Sequence, residues 1–422
     1  MTATRIPRVP LGEFWRLTWR RFGALLRAQG RNIRQGTGAL LVSSAGDLAA
    51  GLALGLMSGT LRRLPGLIIL VPAAIGMRGN IFGALGSRLG TAIHTGQFPA
   101  RLDRRSVAGQ NVLASAVLTL YVSVALAFLA KEVARLFGVD TIPLLDYLVV
   151  SVLGGILSSV FVLAITLGVA VLSVRREWDM DNVAAPVVTA AGDVVTLPSL
   201  WAATVLLPIP FLAEAVGLLC LGVVAAAGAY TWRHRELGLF RRIIRQSLPI
   251  LILSGLVDVL AGLTIDRRFE HFFVLPGLLV VIPPFLENAG ALGGILAARL
   301  SSKLHLGSIT PKAIPGRRSW EDLVLIYILA VPPFFLLGLS ATLVSKVAGL
   351  EHPGLASMLG ITLLGGLMAT TGAVFVAYYA AVAAYRFGLD PDNYGIPVVT
   401  SSMDLIGITA LVTSLVILGV AP

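Results

Sequence analysis

Eleven stretches of this chain are apolar and long enough to cross a bilayer: roughly residues 38–60, 64–96, 107–130, 143–173, 184–206, 209–231, 247–265, 275–302, 320–345, 355–385 and 396–420. A hydrocarbon core of about 30 Å takes roughly 20 apolar residues per helix. No water is present there, so each segment must satisfy its own backbone groups as a helix. The expected fold is therefore an all-α polytopic membrane protein. Composition agrees: only 13% of the 422 residues are charged and 56% are hydrophobic, too little polar surface to keep a compact chain in water. That excludes a soluble enzyme, a disordered tail and a collagen-like repeat. The single cysteine, Cys220, excludes a disulfide framework and a cysteine-built metal site. Five histidines speak against a histidine-rich zinc or copper site. No apolar stretch precedes residue 36, so no cleavable signal peptide is expected.

Lys and Arg set the orientation. With the N-terminus inside, the inner segments (1–36, 97–106, 174–183, 232–246, 303–319, 386–395) carry 23 of them and the outer segments 7. Arg78, Arg88 and Arg299 fall within spans. The expectation is an integral protein of the plasma membrane, N-terminus cytoplasmic and C-terminus outside. In residues 1–36, Leu11, Phe14, Trp15, Trp19, Phe22, Leu25 and Leu26 share one helical face, while Arg16, Arg20, Arg27, Arg31 and Arg34 point elsewhere. This basic amphipathic pattern suits a helix on the cytoplasmic membrane surface. A net charge of +11 is here a mark of contact with anionic lipid, not of nucleic-acid binding.

The chain also repeats itself at one fixed offset. Pro65–Gly96 aligns without a gap on Pro276–Gly307, 211 positions later, with 11 of 32 residues identical. Asp179–Asp193 (DMDNVAAPVVTAAGD) aligns on Asp390–Asp404 (DPDNYGIPVVTSSMD) with eight of 15 identical, and Ser43–Leu52 on Ser254–Leu263 with five of ten, again at 211. Hydrophobicity alone would match Leu to Ile, not Asp, Asn, Pro, Thr and Arg at a constant offset. The expected organisation is a cytoplasmic segment at 1–36, a five-helix repeat at 37–207, a bridging transmembrane helix and linker at 208–246, and a second five-helix repeat at 247–422. The bridging span returns the chain to the cytoplasm, so the two repeats run parallel about a pseudo-twofold axis along the membrane normal. The result resembles a homodimer fused into one polypeptide. Fusion makes a monomer sufficient and leaves a homo-oligomer open.

Carboxylates deep in a bilayer cost on the order of 2.5–3.5 kcal/mol each, so they face water or a cation. The deep ones are Asp47, Asp193, Asp258, Asp404 and Glu287. Asp193 pairs with Asp404 and Asp47 with Asp258 across the repeat, whereas Gly76 stands in the place of Glu287. Thr189 lies four residues before Asp193 and Thr400 four before Asp404, so each threonine shares a helix face with its aspartate. If these helices flank the axis, two carboxylates and two hydroxyls converge, and a divalent cation relieves their repulsion. Hard oxygen ligands suit Mg²⁺, with Mn²⁺ or another divalent ion as the alternative. The competing reading is local helix packing. For Asp47 and Asp258 the competing readings are a structural hydrogen bond or an ion pair with Arg88 and Arg299. Asp179, Asp181 and Asn182, with Asp390, Asp392 and Asn393, lie at the cytoplasmic start of the aspartate helices, either as N-caps or as a cation-collecting pore mouth. The second span of each half is glycine-rich. Gly76, Gly79 and Gly83 either break the helix and expose carbonyls to an ion or let helices pack closely.

Two motifs carry a resemblance. VPAAIGMRGNIFGALGSRLGTAIHTG and the paired D-x-D-N…P-V-V-T…D helices resemble the MgtE / solute-carrier-41 family of magnesium transporters, over most of residues 31–422. The resemblance implies Mg²⁺ movement through a pore between the halves, with Asp193 and Asp404 as principal ligands. It places the glycine–asparagine motif on Gly79–Asn80. In the second half Ala291 replaces the asparagine, and Asn288 and Glu287 are the candidate substitutes. A cation exchanger driven by Na⁺ or H⁺ is the alternative within transport. An intramembrane aspartyl protease is the remote enzymatic one; its two aspartates would not sit in copies of one unit. No catalytic residue is expected.

Overall fold

The computed structural model describes residues 44–94, 103–176, 180–209, 211–234, 236–268, 272, 274–387 and 396–420. The amphipathic segment at 1–36 lies outside them, as do Asp179, Asp390, Asp392, Asn393 and the side chains of Asp181 and Asn182. The described residues form helices and turns and no strand. In the first half these are α1 (Ser44–Leu56), α2 (Ser58–Arg63), α3 (Leu67–His94), α4 (Val107–Leu136), α5 (Leu144–Arg176) and α6 (Met180–Thr204). The bridging helix is α7 (Leu212–Arg233). The second half has α8 (Gly238–Asp266), a 3-10 segment (Pro276–Val281), α9 (Ile282–His305), α10 (Arg317–Val347), α11 (Leu355–Phe387) and α12 (Ile396–Ile417). Among the described residues ten helices are long and apolar enough to cross a membrane, and α1 is the described part of the eleventh expected span.

The helices do not sort into two separate five-helix bundles. α8 packs on α3 and α4 of the first half as well as on α12 of its own. The reason is legible in one glycine pair. A side chain on Gly51 in α1 would overlap the backbone carbonyl of Val280 in the second half. A side chain on Gly262 in α8 would overlap the backbone carbonyl of Ile69 in α3. Both glycines and both carbonyls are related by the 211-residue offset. Only glycine lets backbones approach so closely. The first helix of each repeat is thus seated on the second helix region of the other.

The bridging helix α7 contacts only α5 and α4 to any extent and is largely lipid-facing, with Leu218 and Leu219 more than 60% exposed. It connects the repeats without contributing to their shared interior.

The glycine-rich second span does not break. α3 runs unbroken through Gly76, Gly79 and Gly83, with Pro72 inside it. A glycine costs a helix about 1 kcal/mol, less than unpaired backbone groups cost in a dry interior. In the second half the irregular turn lies at the start, where Pro276–Val281 is 3-10 before Pro283 and Pro284.

Candidate functional site

The deep carboxylates arrive on five helices, and a sixth lines their meeting place. α1 and α8 carry Asp47 and Asp258, α6 and α12 carry Asp193 and Asp404, α9 carries Glu287 and α3 presents Gly76. The fold brings them together as two unlike groups. In one, Asp47 and Asp193 stand beside each other, and Glu287 of the opposite half acts on Asp193. In the other, Asp258 and Asp404 stand beside each other with Ser401 nearby, and neither Asp258 oxygen has a hydrogen-bond partner among the described residues. There Gly76 of the opposite half completes the wall. A methyl on it would sit 3.1 Å from Asp258 Oδ2 and 3.4 Å from Asp404 Oδ2. Glu287 also acts on Asp404, and Asp404 on Asp193, so the groups form one electrostatic cluster spanning both repeats.

The expected pairing of Asp193 with Asp404 is therefore refined. Asp47 bears on Asp193 more strongly than Asp404 does, and Asp404 is acted on by Asp258 of its own repeat. The proposed ion pairs of Asp47 with Arg88 and Asp258 with Arg299 do not form. Arg88 Nε donates to Asn111 Oδ1 at 2.6 Å instead. Arg299 donates to the buried Asp322, which also accepts from Lys303 Nζ at 2.6 Å. The reason is position: Arg88 and Arg299 sit three turns further along the helix than Gly76 and Glu287, far from the carboxylates. Among the described residues, no Lys or Arg acts on Asp193, Asp258, Asp404 or Glu287. Carboxylates this close, out of water and without a basic partner, repel unless a proton or a cation lies between them.

Burial differs between the two groups. Asp47, Asp193 and Asp258 are buried, while Asp404 and Glu287 are half-buried. Asp404 faces the space left by Gly76. Thr189 is half-buried and its methyl lies 3.8 Å from where a side chain on Gly79 would begin. Thr400 and Asn80 are half-buried as well. Asn288 is 1% exposed; its Oδ1 accepts from Ser44 Oγ at 3.1 Å, across the two repeats, and its Nδ2 has no partner. Its counterpart is Met77, and that of Ser44 is Gly255, so the other group has an apolar contact at this place.

No three His, Cys, Asp or Glu side chains among the described residues close around a single ion. The arrangement offers two-carboxylate seats in series. Ser401 and Ser44 were not singled out by the sequence. Ser401 lies three residues before Asp404 on the same helix face, a spacing that could have found it, but its counterpart Ala190 removes it from the repeated pattern.

A family model described as a divalent cation transporter, MgtE, matches residues 71–203 and 282–414. The second region starts and ends 211 positions after the first. Solute carrier family 41 member 3 of Rattus norvegicus is 25% identical over 399 residues, covering 88% of this chain and 84% of that protein. Solute carrier family 41 member 2 of Xenopus laevis is 26% identical over 408 residues, covering 90% and 70%. The human member 2 is 26% identical over 405 residues, covering 89% and 68%. No solved structure matches the chain.

Proposed function

Since the chain belongs to the MgtE family of divalent cation transporters, we propose that Mg²⁺ is its cargo and that the ion crosses between the two repeats, past the aspartate pairs. The protein is an integral membrane transporter of divalent cations; the path, the ligands and the metal are the proposal. Asp193 and Asp404 are the principal ligands, with Asp47, Asp258 and Glu287 sharing the charge. Thr189, Thr400, Asn80 and Asn288 line the approach. Asp179, Asp181, Asn182, Asp390, Asp392 and Asn393 form the cytoplasmic mouth. The transport units are residues 37–207 and 247–422, in the plasma membrane with the N-terminus inside.

One observation carries this reading: five membrane-depth carboxylates meet where the repeats meet, and among the described residues no Lys or Arg acts on Asp193, Asp258, Asp404 or Glu287. Mg²⁺ keeps several waters and is bound through one or two carboxylates, whereas Ca²⁺ takes six to eight oxygens. Seats of two carboxylates without a third suit the smaller ion.

The test is Asp193→Asn combined with Asp404→Asn, in liposomes carrying a Mg²⁺ indicator. The expected outcome is loss of flux from a protein that still inserts and folds, because the asparagines keep shape and remove charge. Full flux from the double variant would refute the ligand role. Flux that persists without Na⁺ or pH gradients identifies a channel, and strict dependence on one identifies exchange.

A further inference from the structure

The first repeat buries a cation that the cation path does not use. Arg78 in α3 is 2% exposed. Its Nε donates to Ser158 Oγ at 3.0 Å and its Nη2 to Ser123 Oγ at 3.4 Å. Nη1 has no partner, and no ion pair forms with any described carboxylate. A guanidinium out of water and without a counter-charge costs several kcal/mol.

The surroundings are shaped for this charge. Ser158 donates its own hydrogen back to Gly154 O at 2.8 Å, so its oxygen is turned to accept from the guanidinium. Gly155 faces the same group: a methyl there would stand 2.5 Å from Ser123 Oγ and 2.6 Å from Arg78 Nη2. Ser123 accepts from Arg78, and its hydroxyl hydrogen meets no acceptor among the described residues. Two donors, Nη1 and the Ser123 hydroxyl, therefore remain available. The second repeat has none of this. Ala289, Phe334 and Ala369 occupy the places of Arg78, Ser123 and Ser158. Phe334 packs against Phe285 with ring centroids 5.0 Å apart.

We propose that the first repeat holds a small inorganic anion of halide size, chloride being the abundant one, against Arg78 Nη1 and the Ser123 hydroxyl. The anion balances the buried guanidinium and is independent of the cation route.

The experiment is thermal unfolding of the purified, detergent-solubilised full chain in matched sodium chloride, sodium bromide and sodium gluconate. Chloride and bromide should each raise the wild-type midpoint by about 2–4 °C over gluconate, saturating with concentration, as a native-state ligand does. Ser123→Ala should raise the half-saturating chloride concentration about tenfold, the effect of one charge-assisted hydrogen bond. Arg78→Gln should abolish the halide response. Should Arg78→Gln fail to fold, the Ser123→Ala titration decides alone. Identical wild-type midpoints in chloride and gluconate, as expected for a bridging water, would overturn the site. So would an unchanged chloride titration in Ser123→Ala.

Discussion

The two repeats keep the same residues at their meeting place and diverge behind it. Asp47 and Asp258, Asp193 and Asp404, and Gly51 and Gly262 recur at one offset. One layer away, the first repeat has Arg78 among hydroxyls where the second has Phe334 on Phe285. At the far end of the second helix, Arg88 bonds the neutral Asn111, whereas Arg299 and Lys303 share the buried Asp322. After a duplication each copy is free to change what touches only itself. It is held to what touches the other copy, because a change there damages both. Gly76 against Glu287, and the Ser44–Asn288 bond against Gly255 beside Met77, are exceptions: they lie at the meeting place and still differ, so the two carboxylate groups are not equivalent seats.

The largest effects should come from the shared part. Gly51→Ala and Gly262→Ala each drive a methyl into a backbone carbonyl that cannot move aside. Each should cost about 3 kcal/mol or more and deplete folded protein, read by fluorescence-detected size exclusion. A variant that folds and unfolds like wild type would break the claim that the repeats are held by these crossings. Next comes the asymmetric pair of Gly76 and Glu287. Glu287→Gln removes a charge from the cluster and should lower Mg²⁺ flux roughly 10- to 100-fold. Gly76→Ala places a methyl 3.1 Å from Asp258 Oδ2, a contact that small shifts relieve. It should lower flux about 2- to 3-fold. Equal losses would mean that the two seats work alike. The smallest difference lies at the diverged ends. Asp322→Asn leaves Arg299 and Lys303 unbalanced, but they are 23% and 31% exposed. The expected loss is about 1–2 kcal/mol by thermal unfolding. Asn111→Ala, which removes only a neutral partner of Arg88, should cost about 1 kcal/mol.

The spans, the repeat and the acidic residues were legible because each rests on a pattern along the chain: apolar length, a constant offset, a charge in the wrong solvent. Which aspartate meets which was not. Asp47 and Asp193 are 146 positions apart, and nothing in either segment names the other. Arg78, within a span, read as one more positive charge; its hydroxyl partners lie on α4 and α5, and only packing reveals them. The glycine motif misled in part because a helix-breaking tendency in water is a weak force where no water replaces the lost hydrogen bonds. Gly51 and Gly262 stood within an aligned decapeptide, but their partners, two main-chain carbonyls, have no side-chain signature.

The crossed seating imposes an order on biosynthesis. When α8 emerges, the carbonyl of Ile69 that it needs already exists; when α1 emerges, the carbonyl of Val280 lies 229 positions ahead. The first described helix must wait in the bilayer, its glycine and Asp47 uncovered, until most of the nascent chain has followed. A ribosome-arrested chain stopped before residue 276 should leave α1 open to cross-linking by a photoactivatable lipid, and one carried well past residue 305 should shield it. The last seat to be filled is the first one made.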